Sequence, residues 1–356
     1  MRELKIFAIV VFFIAITYWG IEPYAHSKLN PPVSKPNYDF AVEDLDFAKS
    51  NLQKAQKELE KAQKGKDEKI ISGKKTELEM AKNSLEKYEA FWNEINKVDL
   101  SSGDAAAGAE LFDMAGCSGC HGLEVAGRPA MVDALTASQM YGVNPPDLSN
   151  SGAIYDDKYL AALIKDPVMA MKLDHKFDGV ETFHPMTAFF GAGGDYNQEL
   201  ADLVAYFKSI APKKLEDREV FIEACSRCHD MKYDGINMGV EPNNWDGNEM
   251  GLKEYKINLA KYQGLLPPDL SIIIRAKSKD YLHKFMNNTQ KMLPGTAMPR
   301  VGLTENSEKQ IINYLESIGD SKKAERESLS IKIMIYFAIL AVFATLWKRK
   351  IWSVLE

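Results

Sequence analysis

Apolar residues in this chain of 356 residues form two solid blocks at its ends and helical stripes between them. Ile6 to Ile21 is an almost unbroken apolar run, IFAIVVFFIAITYWGI, behind Arg2 and Lys5. Leu329 to Trp347 is the second, with one charge at Lys332 and with Lys348, Arg349 and Lys350 directly after it. A helix as long as the second run rises about 28 Å, close to the hydrocarbon thickness of a bilayer. The first run is short for a span and needs help from its flanks. No small-x-small cleavage site follows it, so an uncleaved anchor is expected over 1–22 and a second anchor over 329–350.

Between the anchors the pattern is helical. Asn30 to Pro36 predicts an extended exit segment. Residues 41–64 and 74–96 are rich in good helix formers, with Gly65 and Gly73 read as breakers between them. Leu52, Ala55, Leu59 and Ala62 make a thin apolar stripe, matched by Leu78, Ala81, Leu85 and Tyr88. This predicts a helical hairpin within the linker 23–100, serving as a solvated spacer or as a docking arm toward a partner.

The remainder repeats itself. Two helix-like stretches, 105–112 and 216–221, each precede a Cys-x-x-Cys-His motif. Pro145-Pro146-Asp147-Leu148 recurs as Pro267-Pro268-Asp269-Leu270. A Met beside a Pro follows in each half, Pro185-Met186 and Met298-Pro299. An amphipathic helix closes each, at 200–210 and 310–318. The repeat predicts two units, 101–212 and 213–326, in which the first and last helices cross. Phe112 with Tyr206, and Phe221 with Tyr314, are the expected aromatic contacts.

The motifs change the chemical picture. Cys117-Ser-Gly-Cys120-His121 and Cys225-Ser-Arg-Cys228-His229 use all 4 cysteines of the chain. This pattern reads as covalent attachment of two haems c, with His121 and His229 as axial ligands. A dithiol redox site or a zinc site shared by the two pairs would leave the repeated His unexplained. The sixth ligands are assigned to Met186 and Met298, because a thioether is soft and neutral. His184, His175, Met169 and Met171 compete with Met186; Met292 and His283 compete with Met298. Arg128, Arg275, Lys277 and Arg300 are candidate partners for haem propionates or plain surface charges. Trp245 lines the second haem or simply packs.

Composition excludes little else. The net charge of -6 gives no footprint for nucleic acid. The basic flanks orient both termini to the cytoplasm. Residues 23–328 are then periplasmic in a bacterial inner membrane, the compartment in which such haems are attached.

The second unit resembles cytochrome c1 of the quinol–cytochrome c oxidoreductase, the bc1 complex. The residues that carry the resemblance are Ala224 to Met231, Gly264 to Ser271 and the C-terminal apolar helix with its basic end. The whole architecture is similar to the dihaem cytochrome c subunit of the campylobacter-like bc1 complex over roughly 101–350. The resemblance implies a mainly α fold with two tandem class I-like cytochrome c domains. It implies cytochrome b and a Rieske iron–sulfur protein as partners, a soluble cytochrome c as acceptor, and a dimeric complex in the membrane lipid. The chain would be a redox subunit and not a complete enzyme, with no catalytic residue of its own. An electron-entry subunit of a terminal oxidase and a freestanding dihaem redox enzyme are the alternatives.

Overall fold

The computed structural model describes residues 2–29, 33–65, 67–239 and 249–355. Trp245 and the start of the expected exit segment lie outside these residues. The fold is mainly α-helical; among the described residues β structure is limited to isolated bridges, with no sheet.

The chain enters through α1 (Arg2–Ile16), a π turn (Thr17–Ile21) and α2 (Glu22–Leu29). Two long helices follow, α3 (Phe40–Gly65) and α4 (Glu68–Ile95). Next come α5 (Ala105–Met114), α6 (Ala134–Tyr141), α7 (Ser151–Ile154), α8 (Asp157–Lys165), α9 (Pro167–Ala170) and α10 (Tyr196–Ile210). The same order recurs in α11 (Asp217–Cys225), α12 (Glu249–Gln263), α13 (Ile273–Ala276), α14 (Lys279–Asn287), α15 (Thr289–Met292) and α16 (Glu305–Gly319). The chain leaves through α17 (Lys323–Leu355).

Local chemistry sets many of the boundaries. Asp67, Asp104, Asp133, Asp156 and Asp195 accept hydrogen bonds from backbone N–H groups one turn into their helices, satisfying donors that otherwise lack partners. The Asp67 cap corrects one expectation. Helix α4 starts at Glu68 and runs through Gly73, because a single interior glycine costs only about 1 kcal/mol and the cap fixes the start.

Helices α3 and α4 fold back on each other, and Lys74 Nζ reaches Glu58 at 2.7 Å near their far end. Their near end is not a solvated spacer. Phe40, Ala41, Ala48, Tyr88, Phe91, Trp92 and Ile95 are buried together with Tyr159 and Ala162 of α8. The arm is therefore docked on the body of the protein.

Helices α5 and α10 cross at Gly108. A Cβ there would lie 2.0 Å from the carbonyl oxygen of Asp202, so only glycine allows this approach. Phe112 meets Tyr206 beside the crossing, with ring centroids 6.3 Å apart. In the second half α11 packs on α16, and Phe221 meets Tyr314 at 4.8 Å. Helices α6 and α12 join the halves: Gln139 donates to Glu254 at 2.8 Å and Asn258 to Ser138 at 3.2 Å.

Two helical stretches, Glu3–Ala25 and Lys323–Ser353, are long and apolar enough to cross a membrane, and their side chains are exposed. Each extends a few residues beyond the anchor read from sequence. Glu3 near the start of one lies 3.4 Å from Lys348 near the end of the other.

Candidate functional site

Each Cys-x-x-Cys-His motif closes the first helix of its half. Helix α5 ends at Met114 and Gly116, at φ 76°, turns the chain into Cys117. Helix α11 runs directly into Cys225. The backbone N–H of His121 donates to Cys117 O at 3.0 Å, and that of His229 to Cys225 O at 2.9 Å. In this short turn the backbones of the second cysteine and the histidine of each motif fold back onto the carbonyl of the first cysteine.

The Pro-Pro-Asp-Leu repeats then meet the histidines. His121 Nδ1 lies 2.9 Å from the carbonyl oxygen of Pro146, and His229 Nδ1 lies 2.8 Å from that of Pro268. A carbonyl can only accept, so Nδ1 carries the proton in both rings and Nε2 keeps its lone pair. Burial pushes both imidazoles below their usual pKa, the Pro carbonyls opposing it, which keeps the rings neutral.

The rest of each loop is equivalent. Leu148 N–H donates to Gly122 O at 2.9 Å, and Leu270 N–H to Asp230 O at 3.0 Å. Asp147 accepts from Ser149 N–H at 2.8 Å, and Asp269 from Ser271 N–H at 2.8 Å. The two seryl hydroxyls accept from Val125 and Tyr233 N–H, each at 3.1 Å. Isolated bridges Leu123–Arg128 and Met231–Ile236 close the loops, with Gly127 and Gly235 at φ 70° and 71°. The job of the Pro-Pro-Asp-Leu repeat was not legible from sequence, although the repeat itself was.

The four cysteines are partly buried. Burial pushes the Cys117 and Cys228 thiols up and the Cys225 thiol up to about 12. A dithiol redox centre needs the opposite, a thiolate stabilised near neutral pH. Among the described residues, no cluster of three or more His, Cys, Asp or Glu converges on a point. Paired sulfurs beside a neutral imidazole with a free Nε2 fit covalent haem. His121 and His229 would hold the iron, and Cys117, Cys120, Cys225 and Cys228 the porphyrin.

One side chain bridges the segments that carry the two attachment loops. Tyr255 of α12 donates its hydroxyl to Arg227 O at 2.8 Å and lies 2.6 Å from Asn144 Oδ1. Arg227 stands between Cys225 and Cys228, and Asn144 just before Pro145. The Nε atoms of Arg227 and Arg300 are buried with no hydrogen-bond partner among the described residues; a carboxylate on a bound group would satisfy such an atom.

Met186 and Met298 both lie half-buried in loops without regular structure. His184 Nδ1 sits 3.1 Å from both N and O of Met186, and its ring meets Phe177 edge-on at 5.1 Å. Among the rivals, Met169 packs against the arm cluster, and His283 contacts Glu308 at 3.1 Å. His175 is exposed. Of the charges read as propionate partners, Arg128 pairs with Asp113 at 2.7 Å, Arg275 with Asp320 at 3.7 Å, and Lys277 lies over Tyr281. Arg300 gives both terminal nitrogens to Asp44, and its Nε is the buried nitrogen without a partner among the described residues.

Known proteins share part of this arrangement. The cytochrome c family model matches residues 105–211. A cytochrome c of Tetrahymena pyriformis is 28% identical over 125 residues, 32% of this chain and 95% of that protein. A chain of a hyperthermophilic respiratory Complex III is weakly similar in structure. That likeness covers 39% of this chain and 75% of that one at 24% identity, with a TM-score of 0.30. The first Cys-x-x-Cys-His loop lies inside the family match, and the chain carries a c-type cytochrome domain with an electron-transfer function.

Proposed function

We propose that this chain is the dihaem electron-transfer subunit of a quinol–cytochrome c oxidoreductase of the bc1 type. The observation that carries the reading is the loop from Cys225 to Ile236. Its His-to-Pro and Ser-to-backbone hydrogen bonds and its closing bridge repeat those of the loop that falls within the family match. Its sequence, with Gly264 to Ser271 and the C-terminal helix, is the part that resembles cytochrome c1. On this reading, 101–212 and 213–326 are tandem cytochrome c domains, each holding one covalent haem.

Haem iron, when bound, supplies a reversible one-electron couple. The chain does the rest. Cys117 and Cys120, and Cys225 and Cys228, anchor the groups by thioether bonds. His121 and His229 bind through Nε2, and their Pro146 and Pro268 hydrogen bonds orient the rings and raise their donor strength. Met186 and Met298 would offer soft, neutral sulfur to the iron, which favours the reduced state and raises the potential. Iron held by His and Met would leave no position for a substrate, which favours electron relay over bond chemistry.

The relay runs from the Rieske protein through both centres to a soluble cytochrome c. Helix α16 ends at Gly319 and α17 begins at Lys323, which ties the second centre close to the membrane and to cytochrome b. The first centre then faces the soluble acceptor, and Tyr255 bridges the two attachment loops. The Glu3–Lys348 contact and the basic flanks support two spans with both termini cytoplasmic and the haem domains periplasmic.

Purification of the native membrane complex in mild detergent tests this reading. Cytochrome b and a Rieske protein should copurify with the chain. Copurification with a copper-haem oxidase instead would overturn it.

A further inference from the structure

We infer that the α3–α4 arm is a clamp on the loop that carries Met298, and that Asp44 is the positioning residue through which it acts. The inference rests on Met298 being the sixth ligand of the second haem.

Residues 293–304 contain no helix, so the Met298 loop depends on outside contacts for its shape. Those contacts converge on Arg300, two residues after Met298. Its backbone N–H donates to Met171 O at 3.0 Å, and its carbonyl accepts from the Tyr159 hydroxyl at 2.9 Å. Gly302 packs so closely on the Tyr159 ring that a Cβ would lie 2.0 Å from it.

The guanidinium of Arg300 forks onto Asp44: Nη1 donates to Oδ2 at 2.9 Å and Nη2 donates to Oδ1. Asp44 also accepts from Lys172 Nζ at 2.7 Å and from Trp92 Nε1 at 3.0 Å. Asp44, Lys172 and Arg300 are all at most 1% exposed. A bidentate Arg–carboxylate pair is both strong and directional, and here it is sealed from water.

The charges do not balance, since one carboxylate faces two cations. The arm compensates with aromatic faces. Lys172 Nζ lies 4.5 Å from the Tyr88 ring and 5.1 Å from that of Phe47; the Arg300 guanidinium lies 5.2 Å from that of Phe40. Thus the arm supplies the anion and the rings, and the body supplies both cations. Lys172 adopts φ 58° to reach the site, a conformation uncommon outside glycine. Glu43, beside Asp44, grips Lys284 at 2.8 Å and Lys291 at 3.0 Å, which locks the arm to α14 and α15.

Among the described residues, the Met186 backbone contacts are local, to His184, and no arm side chain hydrogen-bonds to residues 180–192. Asp44 also holds Lys172 of the first half, but its fork meets Arg300 two residues from Met298, so a loss confined to the second centre separates positioning from general stability.

The full-length chain, purified with its haems, gives the test. The ferric near-infrared thioether band reports Met ligation, and carbon monoxide binding to the ferrous form reports a vacated sixth position. The wild type should show the band for both haems and bind no carbon monoxide. Asp44→Asn should lose one haem equivalent of the band and bind carbon monoxide at one haem, with both thioether attachments intact. Arg300→Lys keeps the charge but loses the fork. It should weaken the same band partially, and it decides the matter if Asp44→Asn fails to accumulate. Retention of both bands in the variants, or equal loss at both haems, would overturn the clamp. Absence of the second band in the wild type would overturn ligation by Met298, and the clamp with it.

Discussion

His229 Nδ1 lies 2.8 Å from the carbonyl oxygen of Pro268, a bond that fixes how the ring can serve iron. It commits Nδ1 as donor, frees Nε2 for iron and makes the imidazole a better electron donor. His121 and Pro146 repeat it at 2.9 Å. Asp147 braces the first of these loops by accepting from Ser149 and Glu124 N–H groups at 2.8 and 3.0 Å. Asp147→Ala should loosen the Pro146–His121 bond and raise the potential of the first haem. The shift should be a few tens of millivolts, the one-electron equivalent of about 1 kcal/mol. Spectroelectrochemical titration measures it; an unchanged potential would show that the brace does not reach the ligand.

Helix crossing gives a stability prediction with an internal control. Gly108→Ala drives a methyl group into Asp202 O and should cost about 1–3 kcal/mol, the usual penalty for overpacking. Gly73→Ala, at an exposed helix position with nothing within 4 Å, should instead gain about 0.5–1 kcal/mol. Denaturant titration of the two variants should give shifts of opposite sign.

Acid should weaken the docking of the arm. Burial alone would raise the Glu43 pKa, but Lys284 and Lys291 outweigh it and hold the carboxyl below its usual range. A carboxylate lowered on folding contributes stability above its unfolded pKa, about 4.3 for glutamate. That contribution is lost as pH falls through the lowered folded value. The stability difference between wild type and Glu43→Gln should be about 3–5 kcal/mol near neutrality and should shrink on acidification below pH about 4. A difference that grows in acid would reverse the assignment.

On the proposed topology both chain ends face the cytoplasm, with Glu3 3.4 Å from Lys348. Fusions of a fluorescent protein that folds only in the cytoplasm should fluoresce at both termini. A dark fusion at one end and a bright one at the other would contradict the two-span topology.

How much of this was legible in the sequence depends on how far apart the interacting residues lie. Helices α10 and α16 were legible because their apolar residues recur at helical spacing and meet α5 and α11 of their own half. The contacts of Phe112 with Tyr206, and of Phe221 with Tyr314, follow from that crossing. The start of α4 differs from the sequence expectation because Gly73 reads as a breaker, whereas the Asp67 cap sets the start in the fold. Arg300 reads as a propionate partner or a surface charge because its partner, Asp44, is 256 positions away, and no local pattern links an arm residue to a distant loop. The cysteines and histidines were legible as chemistry. The Pro146 and Pro268 carbonyls were not, since a backbone acceptor leaves no signature in residue type.

The account stands on two covalent haems in one chain. Acid–acetone extraction followed by the pyridine haemochrome assay counts them directly, because groups held at Cys117, Cys120, Cys225 and Cys228 survive the extraction. Two haems per chain is the predicted result; one haem per chain would contradict it.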